Sequence, residues 1–132
     1  MKSETGLATS ADGVHWRWEG KILAVSTAGW DRFTARLTTA VRSDDVWLGI
    51  YDGSADVSEN YEERCGLARS DDLRRWTRLN DGPVVGAAGG PGTVRYVESV
   101  VHRDRTLFFF ELTRDDGAHE LRVSQAARDT PG

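Results

Sequence analysis

Gly6-Leu7-Ala8-Thr9-Ser10-Ala11-Asp12-Gly13-Val14-His15-Trp16 returns 60 positions later as Gly66-Leu67-Ala68-Arg69-Ser70-Asp71-Asp72-Leu73-Arg74-Arg75-Trp76. A fixed period of this size marks supersecondary units that stack because none of them buries its apolar face alone. Leu121-Arg122-Val123-Ser124 is a shorter third echo. A second anchor repeats at a spacing of 59: Arg36, Asp45, Leu48, Tyr51 and Asp52 return as Arg95, Asp104, Leu107, Phe110 and Glu111. Two independent anchors therefore share nearly one period.

Within each unit, short runs rich in Val, Thr, Phe, Tyr and Trp are bounded by the turn pairs Asp44-Asp45, Asp52-Gly53, Asp81-Gly82 and Asp116-Gly117. This is the pattern of strands, and no helix is required. The reading places strands A to D at 33–42, 46–52, 61–70 and 74–79, then A to C again at 93–102, 106–113 and 118–124. Four antiparallel strands in about 60 residues make a propeller blade. The expected fold is thus all-β, a partial β-propeller of four-stranded antiparallel blades. Its single domain, 1–132, holds the C and D strands of one blade at 4–23, a complete blade at 31–85 and the A, B and C strands of a further blade at 92–126. A β-sandwich is the competing architecture, but it would not require the same sequence twice.

The 132 residues allow about one domain. The net charge of -4 argues against a nucleic-acid surface, because phosphate neutralisation needs clustered Lys and Arg. The basic stretch Arg64 to Arg78 is interleaved with acids. No apolar run approaches the ~18 residues of a membrane helix, and Met1-Lys2-Ser3-Glu4-Thr5 has no apolar leader core. The expectation is a cytoplasmic protein without a membrane partner. One cysteine, Cys65, permits no intrachain disulfide and reads as a buried, inert thiol. The scattered His15, His102 and His119 give no zinc spacing, so neither a metal nor another cofactor is expected.

Ser10 and Asp12 suit local backbone hydrogen bonds in the turn between strands C and D, with Trp16 and Trp76 placed to fold under the next blade. This turn resembles the Asp-box of sialidase-like propellers, although Asp12 and Gly13 are adjacent and Leu73 replaces the glycine in the second copy. Together with Trp47-Leu48-Gly49-Ile50-Tyr51-Asp52-Gly53, the two copies resemble the five-bladed β-propeller glycosidases, the superfamily of glycoside hydrolase families 43, 32 and relatives. The resemblance implies an oligosaccharide or glycoside as ligand and glycoside hydrolysis as activity, with a non-catalytic carbohydrate-binding or assembly module as the alternative. Five blades need about 300 residues, whereas 132 residues make roughly 2.2. The chain is therefore expected to be part of a longer chain, or to close its ring with a second chain. In a homodimer, one copy's N-terminal hairpin would complete the other's last blade.

Inner strands of a propeller converge on an axial funnel, so side chains one repeat apart meet there. Arg36 and Arg95 occupy equivalent places on the A strands, either gripping a ligand's carboxylate or hydroxyls or pairing with acidic neighbours. Glycoside hydrolysis needs two carboxylates. Asp52 and Glu111, each following an aromatic on strand B, are the best-matched candidates, with hairpin capping or an Arg pair as the other reading. Asp31 follows Trp30 at the start of the complete blade and is the third catalytic candidate. Trp30, Tyr51 and Glu98 join the two arginines as candidate substrate contacts. Arg95 and the pair Tyr96 and Glu98 point to opposite pleat faces unless a bulge intervenes. The resemblance also implies an Asp base on the first blade's inner strand, to which no carboxylate of this chain is matched. Asn60-Tyr61-Glu62-Glu63 reads as a substrate loop or as solvated charge, and His119 as a surface or capping residue.

Overall fold

The computed structural model describes residues 1–85 and 93–128. They form β1 (Ser3–Thr9), β2 (Arg17–Leu23), β3 (Thr34–Ser43), β4 (Val46–Ser54), β5 (Arg64–Ser70), β6 (Thr77–Arg78), β7 (Val94–His102), β8 (Arg105–Thr113) and β9 (His119–Ala127), with one 3-10 turn at Val57–Glu59. Two elements are shorter than the sequence suggests. β5 begins at Arg64 rather than 61, because Tyr61 takes a left-handed φ of 73° that no strand tolerates. β6 has two residues, because the turn after Ser70 uses the chain up to Trp76. Residue 92, the expected start of the last unit, lies outside the described residues.

β3, β4, β5 and β6 form an antiparallel meander, and β7, β8 and β9 form a second one. The β1–β2 hairpin joins the first through a short parallel contact, Ser3 with Thr34 and Glu4 with Ala35. The 59-residue period is geometric as well as sequential. The register slips between Leu37 and Thr39 in β3 and between Arg95 and Glu98 in β7. The two-residue hairpin loops begin at Asp44 (φ 52°) and Arg103 (φ 56°), the left-handed state such loops favour.

Strand alternation sorts β4 between two cores. Tyr51 faces the N-terminal hairpin with Leu23, Ala35 and Ala68, whereas Ile50 faces Cys65, Val94, Val97, Phe108 and Phe110 of the last meander. Trp76 packs on Gly49 of its own blade and joins the core shared with the preceding hairpin, so it does not lie under the next blade. Trp16, its repeat partner, is 64% exposed. The structure also bears on the expected hairpin exchange: β9 pairs with β8 from Thr113–His119 to Arg105–Ala127 and so already fills the C position. Among the described residues no strand pairs with the far edge of β9. No helix of the described residues is long and apolar enough to cross a membrane.

Both Asp-box turns form. The Ser10 hydroxyl accepts from Gly13 N at 2.8 Å, and Asp12 Oδ1 accepts from Val14 N and His15 N at 2.9 and 2.8 Å. Asp72 Oδ1 accepts from Arg74 N and Arg75 N at 2.8 and 2.9 Å. Leu73 holds φ 63° where Gly13 holds φ 75°. A leucine there costs about 1–2 kcal/mol, and glycine gives back about half of that through unfolded-state entropy. Leu73→Gly is expected to stabilise the chain by about 0.5–1 kcal/mol. A thermal melt in which the variant unfolds at or below the parent's temperature would count against the strain.

Candidate functional site

The second pleat face of β4 and the A strand of the next meander meet in a charged cluster. Arg36 on β3 stands opposite Asp52 on β4, and Arg95 on β7 stands opposite Glu111 on β8. Arg36 Nη2 donates to Asp52 Oδ2 at 3.1 Å and to Glu63 Oε1 at 3.3 Å. Arg95 Nη1 donates to the other Glu63 oxygen at 3.0 Å, and its Nε to Glu111 Oε1 at 2.6 Å. One carboxylate, 2% exposed, thus ties two blades together through their equivalent arginines. Tyr96 N adds hydrogen bonds to both oxygens of Asp52 at 3.1 and 3.3 Å.

The bulge in β7 makes this possible. Tyr96 takes φ 52° at the slip, which turns its amide toward Asp52 and its ring between the arginines, 4.8 Å from Arg36 and 4.7 Å from Arg95. Tyr61, also left-handed, lies 5.3 Å from Arg95. Two non-glycine residues in costly backbone states therefore flank one guanidinium, and such strain gathers where a site is held in shape. Tyr61 and Tyr96 are 62% and 44% exposed, which gives the cluster an aromatic rim.

The cluster is unevenly open to water. Asp52 is fully buried, and burial pushes its pKa up to about 6, against the pull of Arg36 and the Tyr96 amide. Burial also pushes the Cys65 thiol up to about 12. Glu111 is half-buried and meets His119 Nδ1 at 3.0 Å, while His119 Nε2 lies 3.6 Å from Glu62. A groove of about 340 Å³, lined by Arg36, Leu37, Thr38, Tyr96, Val97 and Glu98, runs between the inner strands β3 and β7. Arg36 Nε, buried beside it, has no hydrogen-bond partner. Among the described residues, no group of three His, Cys, Asp or Glu side chains is placed to hold a metal ion.

The structure thus brings together Asp52, Glu111, Arg36 and Arg95, and places Glu98 in the adjoining groove, where it accepts from Thr39 Oγ1 at 3.0 Å. Asp31, Trp30 and Tyr51 lie on the opposite face. Asp31 is 2% exposed and accepts from Tyr51 Oη at 3.2 Å and Arg78 Nε at 2.5 Å. Trp30 stacks on the buried Tyr51 ring with centroids 5.5 Å apart. The sequence alone leaves Glu63 in a substrate loop or among solvated charge and His119 as a surface or capping residue, because neither belongs to the 59-residue repeat that singles out the arginines and their partners. The signal for Glu63 is its place beside the start of strand C, directly before Arg64 of β5.

No protein-family model matches the sequence. No curated protein matches it either. Solved structures do. A family 117 glycoside hydrolase of the marine bacterium Zobellia galactanivorans superposes with a TM-score of 0.73 at 15% identity, over 93% of this chain and 38% of that one. The sucrose-6-phosphate hydrolase of Lactobacillus gasseri gives 0.72 at 16%, over 93% of this chain and 25% of that one. The GH32 β-fructofuranosidase of Bombyx mori gives 0.65 at 19%, over 90% and 25%. The chain spans between a quarter and two fifths of these proteins. With nine strands among the described residues and this likeness, the chain has the fold of a partial β-propeller.

Proposed function

We propose that the chain is a glycoside hydrolase-like propeller protein that acts on or binds an oligosaccharide or glycoside at the Arg36–Asp52–Glu63–Arg95–Glu111 cluster, within a ring completed by a second chain. The observation that carries this reading is the convergence of equivalent arginines from two blades on the Glu63 carboxylate, beside a groove lined by Arg36 and the exposed Tyr96. In this reading Glu111, the more exposed of the two acids, meets the sugar first. Asp52 behind it holds a proton up to a pKa of about 6 and gives the site an acid near neutrality. Arg36, whose side chain is 33% exposed, offers its guanidinium to a ligand oxygen, and the Tyr61 and Tyr96 rings offer flat faces to a pyranose. We place the protein in the cytoplasm, in keeping with a single cysteine kept as a buried thiol.

A second reading, a carbohydrate-binding module without turnover, is favoured by the full burial of Asp52, since hydrolysis needs two carboxylates within reach of one bond. Calorimetry with a panel of oligosaccharides, followed by turnover of aryl glycosides, tests both. Glu111→Gln is expected to weaken saccharide binding or turnover at least about tenfold, equivalent to about 1.4 kcal/mol. Binding without turnover selects the module. A variant indistinguishable from the parent on every sugar that binds removes this cluster as the site.

A further inference from the structure

We infer that the groove between β3 and β7 takes a sugar bearing a protonated amino group, with its ammonium on Glu98, and turns away sugars that carry a carboxylate, phosphate or sulfate. The inference rests on the saccharide part of the proposed function and names the class of sugar within it.

The two arginines are the groups suited to grip an anion, and both are engaged. An anionic sugar is held best by a guanidinium that presents two N–H groups side by side. Arg95 turns Nε and Nη2 to Glu111 and Nη1 to Glu63, and its Nη2 also meets His119 Nδ1 at 3.0 Å. Its side chain is 6% exposed. Arg36 gives Nη2 to Asp52 and Glu63, and its Nε is buried. A carboxylate or phosphate in the groove therefore finds no open edge of Arg95, and at Arg36 it competes with two carboxylates already within 3.3 Å.

The charge left over is negative. Arg36 and Arg95 are shared among Asp52, Glu63 and Glu111, and above a pH of about 6 Asp52 too is ionised. These ion pairs thus end with one more carboxylate than guanidinium. Glu98, exposed on the wall of the groove, adds a charge with no counter-ion: no Lys, Arg or His among the described residues pairs with it. Its carboxylate is nonetheless held in place, because Oε1 accepts from Thr39 Oγ1 at 3.0 Å and from Ser99 N at 3.1 Å. Oε2 is left for a ligand, and binding there orders little that is not ordered already.

An ammonium answers this site better than a hydroxyl, since a charge-assisted hydrogen bond is about twice as strong as a neutral one. A metal ion does not fit. Among the described residues no group of three His, Cys, Asp or Glu side chains is placed to hold one, and a single carboxylate falls far short of the roughly 6–8 oxygens that calcium takes. Tyr96, 44% exposed on the same wall, gives a sugar ring an apolar surface that a bare amine does not use.

Calorimetry on the full chain at about pH 7, where an amine keeps its proton, reads four probes: a trimer of glucosamine, its fully N-acetylated counterpart, a trigalacturonate and methylammonium. The glucosamine trimer is expected to bind at least about tenfold more tightly than the N-acetylated one. Trigalacturonate and methylammonium are expected to give no measurable heat. Salt at about 0.5 M is expected to cut the ratio between the two trimers at least about threefold. Glu98→Gln keeps an oxygen for Thr39 and is expected to bring that ratio near one. Asp71→Asn removes the same charge from an exposed turn beside Arg69 and is expected to leave the ratio as it is. A ratio near one in the parent, a ratio that survives Glu98→Gln, or an equal fall in Asp71→Asn overturns the proposal. So does trigalacturonate or methylammonium binding as tightly as the glucosamine trimer. If the N-acetylated trimer binds and the ratio is near one, the saccharide reading stands without this inference; if no sugar binds, both fall.

Discussion

Glu63→Ala is expected to lower the stability of the chain by about 2–4 kcal/mol, the largest loss among the substitutions considered. Glu63 is 2% exposed and hydrogen-bonds Arg36 at 3.3 Å and Arg95 at 3.0 Å. Removing one partner of a buried ion pair costs about 3–5 kcal/mol, because the other charge stays out of water without compensation. The two arginines differ in how they bear the loss. The Arg36 side chain is 33% exposed and rehydrates, which trims the figure. The Arg95 side chain is 6% exposed and keeps Glu111 and the ring nitrogen of His119. Urea denaturation of Glu63→Ala, Arg95→Met and the double variant measures the coupling, expected to be at least about 1 kcal/mol for groups in one network. Additive losses, with a coupling near zero, would mean that the two blades are joined by their apolar contacts alone.

The repeat makes the fold readable because each blade must present the same pleat face to each neighbour. Arg36 and Arg95 could be paired with Asp52 and Glu111 from spacing alone, since A and B strands sharing a hairpin loop of fixed length hold one register. Asp31 marks where this logic stops. It precedes strand A next to an aromatic, where spacing alone would put a funnel residue, yet its carboxylate is engaged by Tyr51 and by Arg78, 47 positions away on β6. Nothing local announces that partner. Tyr51 and Asp52 show the complementary limit: adjacent residues on one strand face opposite cores, and only a packed structure says which core is dry. The β7 bulge is the condition under which Arg95 and Tyr96, on opposite pleat faces, can meet in one cluster. It is present, and it takes a φ of 52° at a tyrosine, a state that no propensity favours. Glu63 escaped because a carboxylate in a loop of charges looks solvated until two arginines, 59 positions apart, are found on either side of it.

Asp52 should make the chain lose about 2–3 kcal/mol of stability as pH rises from about 4 to about 6, opposite in sign to an ordinary salt-bridged carboxylate. Its folded pKa is raised from 3.8 to about 6, chiefly by burial, so the folded state holds the proton through a window in which the unfolded chain has released it. Stability then falls with pH across that window, by about 1.4 kcal/mol for each pH unit between the two pKa values, and is level above it. The groups facing Asp52 work against each other: Arg36 and the Tyr96 amide favour the charged form, whereas Glu63 disfavours it. Exposed Asp12 and Asp72 and half-buried Glu19, all held below their ordinary values by hydrogen bonds, act at lower pH and with the opposite sign, so the whole-chain profile mixes both. Asp52→Asn separates them. The parent's advantage over the variant is expected to shrink steadily between pH 4 and 6 in urea titrations, and the Asp52 carboxyl carbon to titrate near 6 by NMR. Parallel stability curves, with a carboxyl midpoint near 4, would mean that Arg36 outweighs burial. The proton held behind Glu111 near neutrality would then be absent, and the cluster would bind its ligand through charge and stacking without an acid to give.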